Sequence, residues 1–286
     1  MISREEIAHL LPYPDQNAHK YSRGKCVVVA GCPAYPGAAC LAAQASQFAG
    51  AGYSQVFTAP ENVALLHLYR ASLVVSSFDQ LKPADAIKAA NKGAFVVGSG
   101  FDAHDTHAKV LTKDVLEKAK APVLLDGGAL SFVAEFIREP WYKQASERIP
   151  LVLTPHAGEA QHLADTFKLK LSGMSQIDIA CTLAQAYNAT VVLKGPNTVV
   201  ATSTVTETIT HGTAVLSKAG TGDVLAGTIG GLLAQGMQPF NAAVLGVYAH
   251  AEAGRVAEKT HGIISACAEE VLASLPQAFI TIGSWE

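Results

Sequence analysis

Three groups of residues stand out for the chemistry that their types and spacing allow. The first is Lys218-Ala219-Gly220-Thr221-Gly222-Asp223-Val224-Leu225-Ala226-Gly227, where glycines at alternate positions lead into an apolar helical run. Gly220 and Gly222 lack a Cβ, so the backbone there can take positive φ and press against a ligand. The free N–H groups of the helix that follows then face that ligand, and a phosphate is the expected guest. Asp223 is the odd member, because a carboxylate beside phosphate is repelled unless it abstracts a proton or meets a metal. Taken alone, an Asp after a glycine turn reads first as a helix cap. The second group is Lys194-Gly195-Pro196-Asn197-Thr198, set between two β-branched runs. A hairpin-like turn there would place a cation, backbone amides and a hydroxyl at its tip, suited to a nucleotide. The third is a series of loops for a second ligand: Tyr35-Pro36-Gly37-Ala38-Ala39, Gly98-Ser99-Gly100, Asp126-Gly127-Gly128 and Thr154-Pro155-His156. A lone His such as His156 is more often a structural hydrogen-bonder than a chemical participant.

This inventory suits phosphoryl transfer, which depends mainly on positioning and charge stabilisation, with a base near the attacking hydroxyl. The Walker A pattern and the protein-kinase signatures are absent, and no GxGxxG follows the first strand, so those nucleotide folds are excluded.

The elements that must position these groups are legible as alternating apolar runs and helical stretches. Cys26–Ala30, Ala94–Val97, Val123–Leu125 and Leu151–Leu153 are continuous apolar runs, the pattern of strands buried on both faces of a parallel sheet. Further strands are expected at Tyr53–Ala59, Leu73–Ser77 and Thr190–Leu193. Val199–Ala201 and the alternating threonines of 202–210 suggest a solvent-facing antiparallel part. Helices are expected at Cys40–Ala49, Glu61–Tyr69, Ala84–Lys92, Thr106–Lys118, Glu159–Phe167, Gln176–Tyr187, Phe240–Lys259 and Ala266–Leu275, and the apolar helical run that follows the Gly220–Gly222 loop is expected to continue through Gln235 and stop at Gly236. Ser3 with Glu6 forms a capping-box pattern in an otherwise irregular lead-in. Strands and helices in alternation give a three-layer α/β fold in one domain, 1–286, with a mainly parallel sheet and a small antiparallel extension. The glycine loops then lie at strand carboxyl ends, the ligand edge of such sheets.

Composition narrows the partners. The 286 residues are 49% hydrophobic and 16% charged, enough for a large core, and the formal charge of −3 leaves no basic footprint for nucleic acid. No apolar run reaches the roughly 20 residues of a membrane span, and the first residues lack a signal-peptide core, so the chain reads as cytoplasmic. Five cysteines without CxxC pairing suggest buried thiols, with neither a disulfide framework nor a zinc site.

Taken together, Tyr35-Pro36-Gly37-Ala38-Ala39, Leu153-Thr154-Pro155-His156-Ala157-Gly158-Glu159, Val192–Val199 and Lys218–Gly227 resemble the ADP/ATP-dependent (S)-NAD(P)H-hydrate dehydratases of the ribokinase-like superfamily, in the family's motif order. The resemblance implies a ribokinase-like α/β/α fold and a lyase that restores hydrated NADH or NADPH. The ring hydroxyl is phosphorylated from ADP or ATP, with Mg²⁺, and phosphate is then eliminated. It implies that Ala38, Gly100, His156 and Asp223 meet the hydrated dinucleotide. It further implies that Lys194, Gly195, Pro196, Asn197, Thr198 and Gly222 hold the adenine nucleotide, and that Asp223 is the base beside Gly220 and Gly222. A homotetramer is implied too. The epimerase module fused to some relatives is not expected within residues 1–25, so a separate epimerase chain is.

The sequence departs from the family's pattern at His19-Lys20-Tyr21, where His-Lys-Gly is common. It departs again at Ala157, where Pro is usual, and at His211-Gly212-Thr213-Ala214, where relatives carry an Asn-containing loop. Two other readings share the glycine loop and Asp223: a ribokinase-like kinase for a hydroxymethylpyrimidine or hydroxyethylthiazole, and a non-catalytic nucleotide-binding protein.

Overall fold

Nine strands, none longer than six residues, form one sheet in the computed structural model, which describes residues 2–88 and 91–285. They are β1 (Lys25–Val29), β2 (Tyr53–Thr58), β3 (Val74–Ser77), β4 (Gly93–Val97), β5 (Val123–Leu125), β6 (Leu151–Leu153), β7 (Thr190–Leu193), β8 (Thr198–Ala201) and β9 (Thr206–Ile209). Their order is β3-β2-β1-β4-β5-β6-β7-β8-β9; β1 to β7 run parallel, and β8 and β9 are antiparallel. The chain grows outward from β1 in one direction and then from β4 in the other. Between β1 and β4 lies the switch point where the carboxyl ends of an open sheet leave a crevice.

Side-chain alternation along the buried strands feeds two cores. Val27, Val29, Phe95, Val97, Leu125 and Leu153 face the layer containing helices Thr106–Lys118, Gly128–Phe136, Pro140–Arg148, Ala157–Asp165 and Gln176–Tyr187. Val28, Val96, Leu124, Val152 and Val192 face helices Pro36–Phe48, Thr221–Ala234 and Pro239–His261. Helix Thr221–Ala234 is the central one of its layer and is buried along nearly its whole length. It fits there because a Cβ on Gly227 would come within 2.1 Å of the Ala42 carbonyl oxygen, and one on Gly230 within 2.1 Å of a Val96 methyl.

The capping box at Ser3 and Glu6 is present, and helices Thr106–Lys118 and Gln176–Tyr187 have the expected bounds. Other elements differ. The helix expected over Ala84–Lys92 is a single turn, Pro83–Ala86, whose proline at the first position starts it; residues 89–90 of the expected span lie outside the described residues. The last helix runs over Ala268–Gly283, through Pro276, instead of ending at Leu275. Burial of Ala278 and Ile282 against the neighbouring core compensates the one backbone hydrogen bond that proline removes. The helix after β1 begins at Pro36, inside the glycine loop, because proline suits a first helical position. Among the described residues no helix is long and apolar enough to cross a membrane.

Candidate active site

Strands β4, β5, β6 and β7 deliver Ser99, Asp126, Thr154 and Lys194 to one edge, each within two residues of a strand's carboxyl end. Asp126 is the hub. Its carboxylate is almost wholly buried and accepts from the Thr154 hydroxyl at 2.7 Å, the Ser99 hydroxyl at 3.3 Å and the Lys194 ammonium at 2.9 Å. Glu159 Oε2 stands 3.7 Å from the same ammonium. Burial pulls the Lys194 pKa down, but Asp126 and Glu159 outweigh it and hold the amine above its ordinary value. The lysine is thus a fixed cation at the base of the β7–β8 turn, anchored by its own N–H to the Pro155 carbonyl at 2.8 Å. This differs from a free cation at the turn's tip: Gly195, Pro196 and Asn197 form the exposed tip, and the Thr198 hydroxyl closes it by donating to the Gly195 carbonyl at 3.3 Å.

Gly220, at φ +89°, is the residue that starts helix Thr221–Ala234, so Asp223 is not its cap. Asp223 sits three residues further on, in the first turn. The first intrahelical bond runs from Val224 N–H to the Gly220 carbonyl, which leaves the Gly222 and Asp223 N–H groups ahead of the ladder. Nothing lies closer than 3.7 Å to where a Gly222 Cβ would be, and the nearest atom is Lys194 Nζ. The anion cradle and the fixed cation therefore face the same space. Burial, with Asp126 nearby, pushes the Asp223 carboxyl up to about 7, while the Ser99 hydroxyl and Lys194 pull the other way. A carboxylate balanced there at neutral pH has the affinity a general base needs.

The second-ligand loops converge on the same edge. The loop after β1 is laced to the loop after β4 by Gly31 N–H to the Ser99 carbonyl (2.9 Å) and Cys32 N–H to the Gly100 carbonyl (3.0 Å). Ala38 and Gly100 touch so closely that a Cβ on Gly100 would lie 2.7 Å from the Ala38 methyl. Gly98, at φ +111°, would place a Cβ 2.1 Å from the Asp126 carbonyl oxygen; only glycine brings β4's loop this close to β5's. His156 Nδ1 accepts the N–H groups of Gly158 and Glu159 at 3.0 and 3.2 Å, while Glu159 Oε2 accepts the His156 N–H at 2.8 Å, a reciprocal cap on helix Ala157–Asp165. Its imidazole has the structural duty expected of a lone His, yet remains 61% exposed, with Nε2 at 3.6 Å from Glu159 Oε2.

Four members of this constellation, Ser99, Asp126, Thr154 and Glu159, lie within motifs that the sequence marks but carry no individual role there; the acid directly after β5 is the signal that points to Asp126. His250 is the fifth. It lies in the middle of helix Pro239–His261, buried, with burial holding its imidazole down to about 4 and the Thr221 backbone and Lys194 as its polar neighbours. No local sequence pattern marks it.

Comparisons with known proteins bear on the family and the fold. A family model described as NAD(P)H-hydrate dehydratase matches residues 26–277. An ADP-dependent (S)-NAD(P)H-hydrate dehydratase of Xanthomonas campestris is 32% identical over 93% of this chain and 91% of its own length. A bifunctional NAD(P)H-hydrate repair enzyme of Escherichia coli is 31% identical over 96% of this chain; the chain spans about half of that relative, 51%. The ADP/ATP-dependent NAD(P)H-hydrate dehydratase of Bacillus subtilis, co-crystallised with ATP and Mg²⁺, superposes with a TM-score of 0.82 at 26% identity, covering 98% of this chain and 97% of the other. The same fold is found in a ribokinase-like superfamily protein of Enterococcus faecalis, with a TM-score of 0.83 at 22% identity, covering 98% of this chain and 95% of the other.

Proposed function

The chain belongs to the NAD(P)H-hydrate dehydratase family, and from that premise we propose that it restores the S epimer of hydrated NADH or NADPH, using ADP or ATP as the phosphoryl donor. The observation that carries this reading is the meeting, at one sheet edge, of Asp223, the Gly222 and Asp223 N–H groups and the fixed Lys194 cation. The hydrated ring would lie against the Ala38–Gly100 contact and His156. The nucleotide would lie over Lys194 to Thr198, with its terminal phosphate against Gly220 to Gly222.

In this scheme Asp223 takes the proton from the ring hydroxyl as that oxygen attacks the terminal phosphorus. The helix N–H groups and Lys194 neutralise charge on the transferring group. AMP leaves when ADP is the donor, and ADP leaves when ATP is. The phosphate ester converts a poor leaving group into a good one: the ring C–O bond breaks with its electrons on phosphate, the ring nitrogen's lone pair supplies the push, and the neighbouring ring carbon loses a proton to give the double bond. Among the described residues no three His, Cys, Asp or Glu side chains group as a metal site. Mg²⁺ would therefore be carried on the nucleotide's phosphates with its own waters, the usual habit of this ion, and there it offsets phosphate charge. A homotetramer, a cytoplasmic setting and a separate epimerase chain belong to the same proposal.

The test is a turnover assay on hydrated NADH and NADPH with ADP and ATP in parallel. The expected result is recovery of reduced-nicotinamide absorbance with one phosphate released per turnover. No recovery with either nucleotide, or a stable phosphoester of a thiazole or pyrimidine alcohol instead, would overturn the reading in favour of a small-molecule kinase.

A further inference from the structure

The amino edge of the sheet, opposite the candidate active site, carries a second cluster of charge that the dehydratase reading does not use. Lys25, Tyr53 and Gly93 begin β1, β2 and β4 in mutual register, and the lead-in loop from Pro12 to Arg23 folds over them. Between that loop, Lys92 and Gln235 lies a cavity of about 500 Å³, within the range of roughly 300–1,000 Å³ for small-molecule sites.

Cations outnumber acids in its lining. Arg23 and Lys92 line it, and among the described residues neither pairs with an acid; Asp15 is the single carboxylate in the lining. Arg23 Nε is fully buried without a hydrogen-bond acceptor. Arg23 lies beside the end of helix Thr221–Ala234, where a cation is favoured by the helix dipole, yet no helix carbonyl accepts from its guanidinium. Because Nε is wholly covered, an entering anion would meet Arg23 through the part of its side chain that lines the cavity. His19 adds a donor: its Nδ1 accepts the N–H groups of Tyr21 and Ser22 at 3.3 and 3.2 Å, which puts the ring proton on Nε2.

Flat apolar surface lies beside these donors. Tyr13 and Tyr21 line the cavity and are 71% and 43% exposed, and Tyr21 stacks on Tyr53 at 6.4 Å with Lys20 above both rings.

We propose that this cavity is a binding site for a small phosphate-bearing anion, distinct from the candidate active site and held by Arg23, Lys92 and His19. The same chemistry fits inorganic phosphate and the phosphate of a mononucleotide whose base stacks on Tyr21. The site stands whether or not the dehydratase reading holds, because it shares no residue with it.

The experiment is equilibrium binding of inorganic phosphate and of AMP to the full chain by calorimetry. Four variants accompany the wild type: Arg23→Gln with Lys92→Gln, Lys92→Gln alone, Tyr21→Ala, and Lys194→Gln as a control for the active-site anion position. A phosphate site that weakens at least tenfold in the double variant and persists in Lys194→Gln supports the proposal. Lys92 is exposed, so Lys92→Gln alone folds normally and should weaken binding severalfold even if the double variant does not fold. AMP binding tighter than phosphate, and reduced by Tyr21→Ala, identifies a nucleotide ligand; equal affinities identify phosphate itself. No saturable binding up to about 10 mM, or binding lost only in Lys194→Gln, overturns it.

Discussion

At the carboxyl edge of the sheet Lys194 is held between Asp126 and Glu159 at 2.9 and 3.7 Å, whereas at the amino edge Arg23 and Lys92 line a cavity with no acid paired to either among the described residues. The glycines at the two edges differ in the same sense. A Cβ on Gly24, at the amino edge, would lie 1.7 Å from the Ala234 carbonyl oxygen, so that glycine exists for backbone packing. One on Gly222 would meet nothing nearer than Lys194 Nζ at 3.7 Å, so that glycine keeps space open beside a fixed charge. Charge balanced in advance beside an open cradle is the arrangement of a reaction site, where reorganisation at the moment of reaction is expensive. Charge left unbalanced beside a cavity leaves the counter-charge for a ligand to bring.

The sharpest way to break this contrast is at Asp223. If the carboxyl edge is the reaction site, Asp223→Asn should keep the fold and nucleotide binding while kcat falls roughly a thousandfold, the middle of the range for loss of a general base. Steady-state kinetics on hydrated NADH, with nucleotide binding measured separately, checks it; a kcat within a few-fold of wild type would remove Asp223 from the chemistry. Arg23→Gln, at the other edge, should leave kcat unchanged.

The second effect separates the two kinds of glycine. Gly98→Ala combines φ +111° with a Cβ 2.1 Å from a carbonyl oxygen, and should destabilise the protein by about 3 kcal/mol or more. Gly222→Ala should leave stability within about 1 kcal/mol of wild type and instead weaken the nucleotide, whose phosphate the added methyl would crowd. Thermal unfolding of both, with nucleotide titration of the second, makes the comparison. An unfolded Gly222→Ala would mean that its space is needed by the protein itself.

Third in size is Lys194→Ala. Nucleotide affinity should fall about tenfold or more, or about 1.4 kcal/mol, and stability should fall as well because Asp126 is left buried without its cation. Asp126→Asn combined with Lys194→Ala should recover part of the lost stability but none of the affinity. Recovery of both would assign the pair to structure alone.

Much of this contrast was legible in the sequence on one side only. The carboxyl edge was, because a glycine loop after a continuous apolar strand is a local signal, and Gly98–Gly100, Lys194–Thr198 and Gly220–Asp223 each carry it. The helix at Gln176–Tyr187 was equally legible, bounds included. Pairing was not: Asp126 and Lys194 are 68 positions apart, and Asp126 and Thr154 are 28 apart, so only strand order brings them together. Asp223 could be read as a cap because the αL backbone of Gly220, which starts the helix earlier, is set by packing against Leu41 and Ala268. His250 was silent for the same reason: its neighbours come from other elements, and an apolar helix with one His gives no local sign of them. The amino edge was silent because its cations are scattered through the loop before β1 and the turn before β4, with no run to mark them.

The last effect is a pH dependence, and it tests whether the carboxyl edge holds its acid under tension. Asp223 moves from an ordinary 3.8 to about 7 on folding, chiefly through burial. Between those values the folded chain keeps the proton while the unfolded chain loses it, so the folded state binds more protons and its stability declines as pH rises. The slope approaches about 1.4 kcal/mol per pH unit, and the loss levels off above about 7. His250, held down to about 4, acts the other way: its contribution is complete above its ordinary 6.5 and is lost as pH falls towards 4. Because His250 is common to wild type and Asp223→Asn, subtracting their unfolding midpoints isolates the acid. The variant should match wild type near pH 4 and exceed it by several degrees at pH 8, while the wild type's kcat rises through the same window as the base ionises. A midpoint difference that is flat with pH would mean that Asp223 is not desolvated in the free protein, and that its basicity, if any, arises only when the ring and the nucleotide close over it.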